Sequence, residues 1–453
     1  MQFSIWIYIA LIITLFIIMS AESWKSDKVD LSNKNLENVD FFKTYQHDIE
    51  VHTVRELNLS GNSLNSFLDC ATSLNNLEVL DLSRNRLDRF FFLCRNESYD
   101  LRFLNVSHNK LEYIDENALN HRTGKLKVLD ISWNLLSGIN DTVLQHMKVL
   151  EFVSFASNPI GDNIEELVFE NLTTLTHLDL KNISATFISP KLFENLINLE
   201  YLDLSLNPIE AIPSLPYDKL EVLDLSQTNL VNLGNLKLPN LRELKLNNMP
   251  NLTIVILSDF EKLPNLEVLS MKECKRLTQL RIRPQNPNLL FHLRFLYIQN
   301  CAIETLSSEL QSIIQRTAVF EFQNNPWHCD CRMKWITVVN TTHNLSNTTK
   351  CNSPASVHNK VFSEIPPTEL QCQVEGYSFS PILWVCVTSA SLGLVVVGSI
   401  LMFKESLTHW IIRRRRISGD SVSYTNVIES SNDLVKILTE SDVQDRFDEC
   451  IKP

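Results

Sequence analysis

The sequence predicts an α/β solenoid, in which short repeats stack along one axis, followed by one transmembrane helix. Three observations support this fold class. An eleven-residue pattern, L-x-x-L-x-L-x-x-N-x-L, recurs mostly at intervals of 23 to 25 residues. Four cysteines follow the last copy, and an uncharged apolar run of 23 residues comes after them. The length alone would suggest about three domains, but a repeat array grows without closing a single core.

The N-terminal apolar run, Ile5–Met19, predicts a secretory signal peptide. It is short for a membrane span and has the length of a signal-sequence core. Ala21 and Ser23 offer a small-residue cleavage site before Trp24, so residues 1–23 are assigned to the signal peptide. The first four residues, MQFS, carry no Lys or Arg, and an uncleaved anchor therefore stays open as the alternative.

The second apolar run, residues 381–403, predicts a transmembrane helix. As a helix it would reach about 34 Å, enough to cross the hydrocarbon core. Lys404 and Arg413–Arg416 follow it, and the positive-inside rule places this end in the cytoplasm. We therefore expect a single-pass type I protein of the plasma membrane, with an extracellular N terminus and residues 374–380 as a stalk.

The Asn-x-Ser/Thr sequons agree with this orientation, because all ten precede the predicted span. Asn58 and Asn105 lie inside predicted strands and are expected to stay bare. Glycans are expected at the other eight, which are Asn96, Asn140, Asn171, Asn182, Asn251, Asn340, Asn344 and Asn347.

The repeats predict one short strand per copy across residues 54–325. Each L-x-L segment places its leucines on one side of a parallel sheet, and neighbouring copies must stack to bury them. Copies begin at Val54, Leu77, Leu101, Leu126, Leu150, Leu175, Leu199, Leu220, Leu241, Leu266, Leu293 and Thr317, and Asp30–Leu36 looks like one more. The ninth-position asparagines are expected to turn inward and satisfy backbone groups of the turn; they are Asn62, Asn85, Asn109, Asn134, Asn158 and Asn207.

These copies resemble the leucine-rich repeat family, and the resemblance covers most of the region between the two apolar runs. It implies a curved solenoid whose parallel sheet lies on the concave face. Phe169, Phe193 and Phe260 occupy equivalent places before the next copy. Buried aromatic stripes are usually packing, so these rings are expected to line the convex side of the core.

The stretch NNPWHCDCRMKW, with Cys351 and Cys372 downstream, resembles the cysteine-rich C-terminal cap of extracellular leucine-rich repeat proteins. The resemblance implies a cap over residues 326–373 with bridges Cys329–Cys351 and Cys331–Cys372. The spacing alone leaves three pairings open. A zinc site or a redox pair is the rival interpretation, but both usually use C-x-x-C, which favours a disulfide staple.

The start of the array departs from many relatives, since no cysteine occurs between Ser23 and Cys70. Residues 24–53 are therefore interpreted as an N-terminal capping segment that closes the stack by other means. Cys70 and Cys94 fall at neighbouring positions of adjacent repeats, about 5 Å apart in such a stack, and a bridge is predicted there. Cys274 and Cys301 both occupy the ninth position and are expected to be buried free thiols.

The chain shows no motif for catalysis, so no enzyme activity, cofactor or metal site is predicted. Its net charge of −12 argues against nucleic acid as a partner. Repeat solenoids mostly offer a long surface to another macromolecule. The outward strand residues best suited to a partner are the aromatic Phe103, Phe152, Tyr201, Phe295 and Tyr297 and the acidic Asp179, Asp203 and Asp224. The aspartates have a plain alternative, because LDLS is simply common in this family.

The C-terminal tail, residues 404–453, is predicted to be mostly disordered. Ser418 follows a basic run and resembles a kinase site, and Tyr424 resembles an endocytic or phosphotyrosine signal for a cytoplasmic adaptor. Toll-like receptors share the resembled solenoid, cap and span, but their signalling domain needs well over a hundred residues, which this tail does not provide.

Three functions remain in view. The favoured one is a cell-surface binding protein that acts as adhesion molecule or co-receptor for an extracellular protein or glycan, including a second copy of itself. The alternative is a Toll-like receptor relative without the signalling domain, acting as accessory subunit or decoy. The third is a purely structural surface protein. A partner that carries a signalling domain would favour the second, and self-binding the first.

Overall fold

The computed structural model describes residues 27–38, 53–68, 74, 76–92, 99–115, 118–234, 236–283, 289–338 and 349–372, and most of 391–413. The chain divides into two compact units, residues 1–371 and 372–453. Several predicted features lie outside the described residues: the signal peptide, Cys70, Cys94, Asn96, Asn340, Asn344, Asn347, Ser418 and Tyr424. They stay predictions.

The described part of the first unit is built from three-residue strands. In chain order they are β1 (Lys28–Asp30), β2 (Glu56–Asn58), β3 (Ser66–Leu68), β4 (Val79–Asp81), β5 (Arg89–Phe91), β6 (Phe103–Asn105), β7 (Val128–Asp130), β8 (Phe152–Ser154), β9 (His177–Asp179), β10 (Tyr201–Asp203), β11 (Val222–Asp224), β12 (Glu243–Lys245), β13 (Ile254–Ile256), β14 (Val268–Ser270), β15 (Gln279–Arg281), β16 (Phe295–Tyr297) and β17 (Val319–Glu321).

Thirteen of the described strands form one parallel sheet, in the order β1-β2-β4-β6-β7-β8-β9-β10-β11-β12-β14-β16-β17. Each strand pairs with the next in parallel register, so that equivalent residues lie side by side, for example Leu202 beside Leu223. The middle residue of the repeat strands is buried, as for Leu57, Leu104 and Leu269. The predicted solenoid is therefore confirmed, and β1 shows that the stack already begins before Val54.

The ninth-position asparagines form the predicted ladder of buried amides. Asn85, for example, donates from Nδ2 to the carbonyls of Leu59 and Leu82, 3.0 Å each, and accepts from the Leu64 amide at 3.1 Å. Each amide thus joins two neighbouring repeats and satisfies buried backbone groups that would otherwise be costly. Asn325 repeats the arrangement in the last copy.

The residue before the ladder position turns the chain through the left-handed region in every copy from Gly61 to Asn324. Its φ is +68° at Gly61 and between +53° and +60° at the later copies. Non-glycine residues rarely adopt such angles, and here they include Trp133 and Leu206. The stacked hydrogen bonds of the turn therefore override the local preference of these side chains.

The back of the solenoid contains little α-helix in the described repeats. It consists mainly of turns, two two-stranded sheets (β3-β5 and β13-β15) and short 3-10 segments such as Leu257–Phe260. The described short helices of this unit are α1 (Gln311–Ile314) and α2 (Lys334–Val338).

Phenylalanines fill the back of the longer repeats, as predicted. Phe169, Phe193 and Phe260 are each 1% exposed. They contribute the largest apolar area per residue to that side of the core.

The end of the array is covered by the predicted cap. Cys329 and Cys351 are bridged with their Cα atoms 5.7 Å apart, which is the first pairing that the resemblance implied. Cys331 and Cys372 are also disulfide-bonded. Trp327 is fully buried under the cap and donates from Nε1 to the Phe322 carbonyl at 3.0 Å. The apolar end of the last repeat is thereby removed from solvent.

The second unit contains, within its described residues, one helix that is long and apolar enough to span a membrane, Gly393–Ile411. It overlaps the predicted span at residues 393–403 and continues past Lys404. A helix does not have to end where the apolar run ends, because its backbone hydrogen bonds are made within the segment. Residues 381–390 of the predicted span lie outside the described part.

Candidate ligand-binding face

The outward side of the thirteen-stranded sheet, called the sheet face below, displays the first and third residue of each strand. Neighbouring strands lie about 4.8 Å apart, so equivalent residues of successive repeats form rows. Two rows cross the middle of the face. The aromatic row consists of Phe103, Phe152, His177 and Tyr201, and the acidic row of Asp179, Asp203 and Asp224.

The aromatic row is continuous from β8 to β10. The ring of His177 lies 6.4 Å from that of Phe152 and 5.7 Å from that of Tyr201, nearly parallel to the latter at 20°. Val128 of β7 stands between Phe103 and Phe152 in the same register. These side chains are half-buried except for Val128, which is 7% exposed. The row is a rigid apolar strip, which suits a hot spot for a protein partner.

Each aspartate of the acidic row also holds the turn of its own repeat. The Oδ1 atoms of Asp179, Asp203 and Asp224 accept from the backbone amide two residues later at 2.8 to 3.0 Å. Asn58 and Asn105 make the same bond with a neutral side chain. The plain alternative for the LDLS motif is therefore correct in part, because this position has a structural role in both forms.

The charge of the acidic row goes beyond that structural role. Burial, and then the charges of Asp224 and Asp179, raise the pKa of the Asp203 carboxyl to about 7. Burial also raises the pKa of Asp179, to which Ser154 donates at 3.0 Å. Asp203 and Asp224 are only 5% and 9% exposed. Carboxylates packed this closely favour a positively charged ligand group.

Two further side chains belong to this region and escaped the sequence-based selection. Burial lowers the pKa of His177, which disfavours the charged imidazolium within the aromatic row. Burial raises the pKa of Asp130, one strand before Ser154. His177 could have been found in the sequence, because it occupies the same strand position as Phe152 and Tyr201.

The C-terminal part of the sheet face is separate and differs in charge. Lys245 follows Asp224 in the same row and pairs with Glu243 at 3.3 Å. Two strands further on, Phe295 and Tyr297 of β16 stack with ring centroids 6.5 Å apart. The Lys272 ammonium lies 4.2 Å from the Tyr297 ring centroid. Phe295 and Tyr297 therefore do not join the site formed by the aromatic and acidic rows.

The candidate glycosylation sites that the structure describes lie away from these rows. Asn140, Asn171 and Asn182 are exposed and Asn251 is half-buried. Glycosylation itself stays a prediction. Among the described residues, no group of three or more His, Cys, Asp or Glu is placed to hold a metal ion.

Comparison with protein families agrees with the repeat architecture. The leucine rich repeat family matches residues 162–213. The mouse Toll-like receptor 7 is 29% identical over 184 residues, 36% of this chain and 16% of the receptor. The brassinosteroid LRR receptor kinase of Solanum lycopersicum is 31% identical over 185 residues, 38% of this chain and 15% of the kinase. The chain thus spans about one sixth of these relatives, within their repeat regions.

Solved structures show the same fold. The TLR13–ssRNA13 complex superposes with a TM-score of 0.51 at 21% identity, covering 71% of this chain and 54% of that one. The Toll–Spatzle complex of Drosophila gives 0.51 at 16% identity, covering 76% of this chain and 48% of that one. The chain therefore has a leucine-rich repeat solenoid fold.

Proposed function

We propose that this chain is a cell-surface binding protein, an adhesion molecule or co-receptor that recognises an extracellular protein through the sheet face. In this proposal the Gly393–Ile411 helix crosses the plasma membrane in type I orientation. The repeat-region similarity to receptors supports a binding role over a catalytic one.

The observation that carries the proposal is the pairing of two rows on the same strands. The aromatic row offers apolar contact area, and the acidic row beside it offers charge at a repeat of about 4.8 Å. A partner that fits both rows presents an apolar strip with Lys or Arg along one side. Such a partner gains buried area from Phe152 and Tyr201 and electrostatic selectivity from Asp179 and Asp224.

Cells that display the full chain would test this proposal. Proximity labelling on these cells identifies neighbours, and mixing two differently coloured populations shows whether the chain binds itself. The test variant carries Asp179→Asn, Asp203→Asn and Asp224→Asn together. The matched control carries Glu170→Gln, Glu194→Gln and Asp218→Asn, three exposed acidic residues outside the sheet.

We expect the partner to be basic and its retention to weaken with added salt, because salt screens the attraction between the acidic row and an approaching basic surface. Retention of the partner should fall by about tenfold or more in the test variant and in Tyr201→Ala. The control variant should retain the partner as the wild-type chain does. Equal retention by the test variant and the control would place the binding site elsewhere on the solenoid.

A second candidate, an accessory subunit or decoy related to Toll-like receptors, is favoured by the match to mouse Toll-like receptor 7. Recovery of a partner that contains an intracellular signalling domain would favour this candidate. Aggregation that occurs only when both mixed cell populations display the chain would favour adhesion.

A further inference from the structure

Two consecutive repeats of the solenoid are shorter than their neighbours. Leu199, Leu220 and Leu241 follow one another at intervals of 21 residues, whereas the flanking copies that begin at Leu175 and Leu241 have 24 and 25. The strands of all three copies stay in register, with Leu202 beside Leu223 and Leu223 beside Leu244. The missing residues are therefore taken from the back of the solenoid.

The shortened backs leave an open slot of about 630 Å³, lined on one side by residues from Glu210 to Tyr217 and on the other by residues 232–234 and 236–238. The constant offset of 21 residues places Ile212 beside Leu233 and Leu215 beside Leu236, so both walls are apolar. Its volume lies within the usual range of small-molecule sites, about 300–1,000 Å³.

The slot exists because its repeats lack the ring that fills the back of the longer ones. Phe193 in the preceding copy and Phe260 in the following copy are each 1% exposed. The two short copies contain no phenylalanine, and Leu215 and Leu236 are among the apolar residues that line the slot. Gly234, with φ of +56°, leaves open space where a Cβ atom would stand.

Three of the polar side chains that line the slot beside its apolar walls are Glu210, Tyr217 and Lys237. All three are exposed, and the salt bridges of the described residues include none of them. A ligand with an anionic group is therefore attracted to Lys237 and repelled by Glu210.

The surrounding sequence keeps this part of the back free of candidate glycans. Sequons occur at Asn182 and Asn251, on either side of the short repeats, and residues 183–250 contain none. A bulky sugar chain inside this stretch would obstruct the slot.

From these observations we propose that the slot binds a single-chain aliphatic carboxylic acid. Its chain lies between the Ile212–Leu215 wall and the Leu233–Leu236 wall, and its carboxylate meets Lys237, with the Tyr217 hydroxyl as a second donor. This site is distinct from the sheet face and is independent of the function proposed for it.

The test uses the full chain in phosphatidylcholine nanodiscs and a dodecanoic acid that carries a photoreactive diazirine. Labelled peptides are mapped by mass spectrometry, with unlabelled dodecanoic acid and dodecanol as competitors. We expect saturable labelling within residues 210–238, and competition by the acid about tenfold stronger than by the alcohol. Labelling confined to the Gly393–Ile411 helix would show partition into the bilayer and would overturn the proposal.

Two variants separate the apolar and ionic contributions. Leu215→Phe with Leu236→Phe adds a ring to each apolar wall of the slot and should reduce labelling about tenfold or more. Lys237→Gln changes an exposed side chain and should abolish the preference for acid over alcohol while the apolar contact remains. The buried Cys274 and Cys301 report folding, because they should stay unreactive towards maleimide in each variant.

Unchanged labelling in the filled variant would exclude the slot as the site. An unchanged acid preference in Lys237→Gln would exclude the assigned carboxylate position. If the filled variant fails the maleimide control, Lys237→Gln decides the question alone, because replacing this exposed side chain should leave the fold intact.

Discussion

The turns of the repeats up to Lys219 differ from those between Leu220 and Arg316. In the first group, from the copy that begins at Val54 onwards, the ninth position is asparagine, with Ile183 as the exception. In the second group it is Thr228, Met249, Cys274 and Cys301.

The difference is one of bonding capacity. Asn207 is fully buried, donates to Leu180 and Leu204 at 2.8 and 2.9 Å, and accepts from the amides of Ile183 and Ala185. The Cys274 thiol donates to the Leu246 carbonyl at 3.1 Å, which is a weak bond. An amide can satisfy donors and acceptors of two repeats, whereas a thiol satisfies fewer. The two groups therefore share a backbone geometry but should differ in how strongly one side chain holds it.

The largest expected effect is at Asn207. Substitution Asn207→Ala leaves several buried backbone groups without partners, and each costs about 1–3 kcal/mol, so we expect a loss of about 3–5 kcal/mol in the free energy of unfolding. Denaturant unfolding of the chain measures the loss, and hydrogen exchange should locate it in the repeats on either side of Asn207. A loss below about 1 kcal/mol would contradict the assigned role of the ladder.

The acidic row at the join of the two groups should give an intermediate effect. Burial and neighbouring charges raise the folded-state pKa of Asp203 from 3.8 to about 7, so this carboxyl lowers the free energy of unfolding as pH rises from about 4 to about 7, and the loss is constant above that. Asp203→Asn should therefore be more stable than the wild-type chain at pH 8 by about 1–3 kcal/mol, with the difference vanishing towards pH 4.

The matched control for this prediction is Asp81→Asn. Asp81 makes the same turn bond, to the Ser83 amide at 2.8 Å, but lies between Asn58 and Asn105 instead of two aspartates. Thermal unfolding of both variants between pH 4 and 8 compares the two sites. Equal pH profiles for the two variants would show that the row of charges has no collective effect.

The smallest effect is expected at the thiols. Cys274→Ala removes one weak hydrogen bond and a small buried volume, so the loss should be about 1 kcal/mol. Denaturant unfolding under the same conditions compares the loss in the free energy of unfolding of Cys274→Ala with that of Asn207→Ala. A loss at Cys274 as large as that at Asn207 would mean that the two groups of repeats are held equally.

The sequence predicted which residues face outward at the candidate site, but it did not predict how these residues are grouped and buried. Phe152, Tyr201 and Asp203 were identified because a strict period puts them on the outward side of known strands. The separation of Tyr297 from these three residues was not predicted, since it depends on how many strands lie between β10 and β16. The burial of Asp203 was also hidden, because its exposure depends on the neighbouring rows.

The sequence by itself determined the repeat unit, the strand positions, the inward asparagines and the apolar backs, because a period of about 24 residues imposes the same local environment on every copy. Only the tertiary structure decided what arises between copies. The raised pKa of Asp203, the bond from Cys301 to the Met271 carbonyl at 3.0 Å and the slot behind the short repeats all depend on the distance between side chains of different repeats. A pattern within one repeat contains no information about that distance, since stacking and local repeat length set it together.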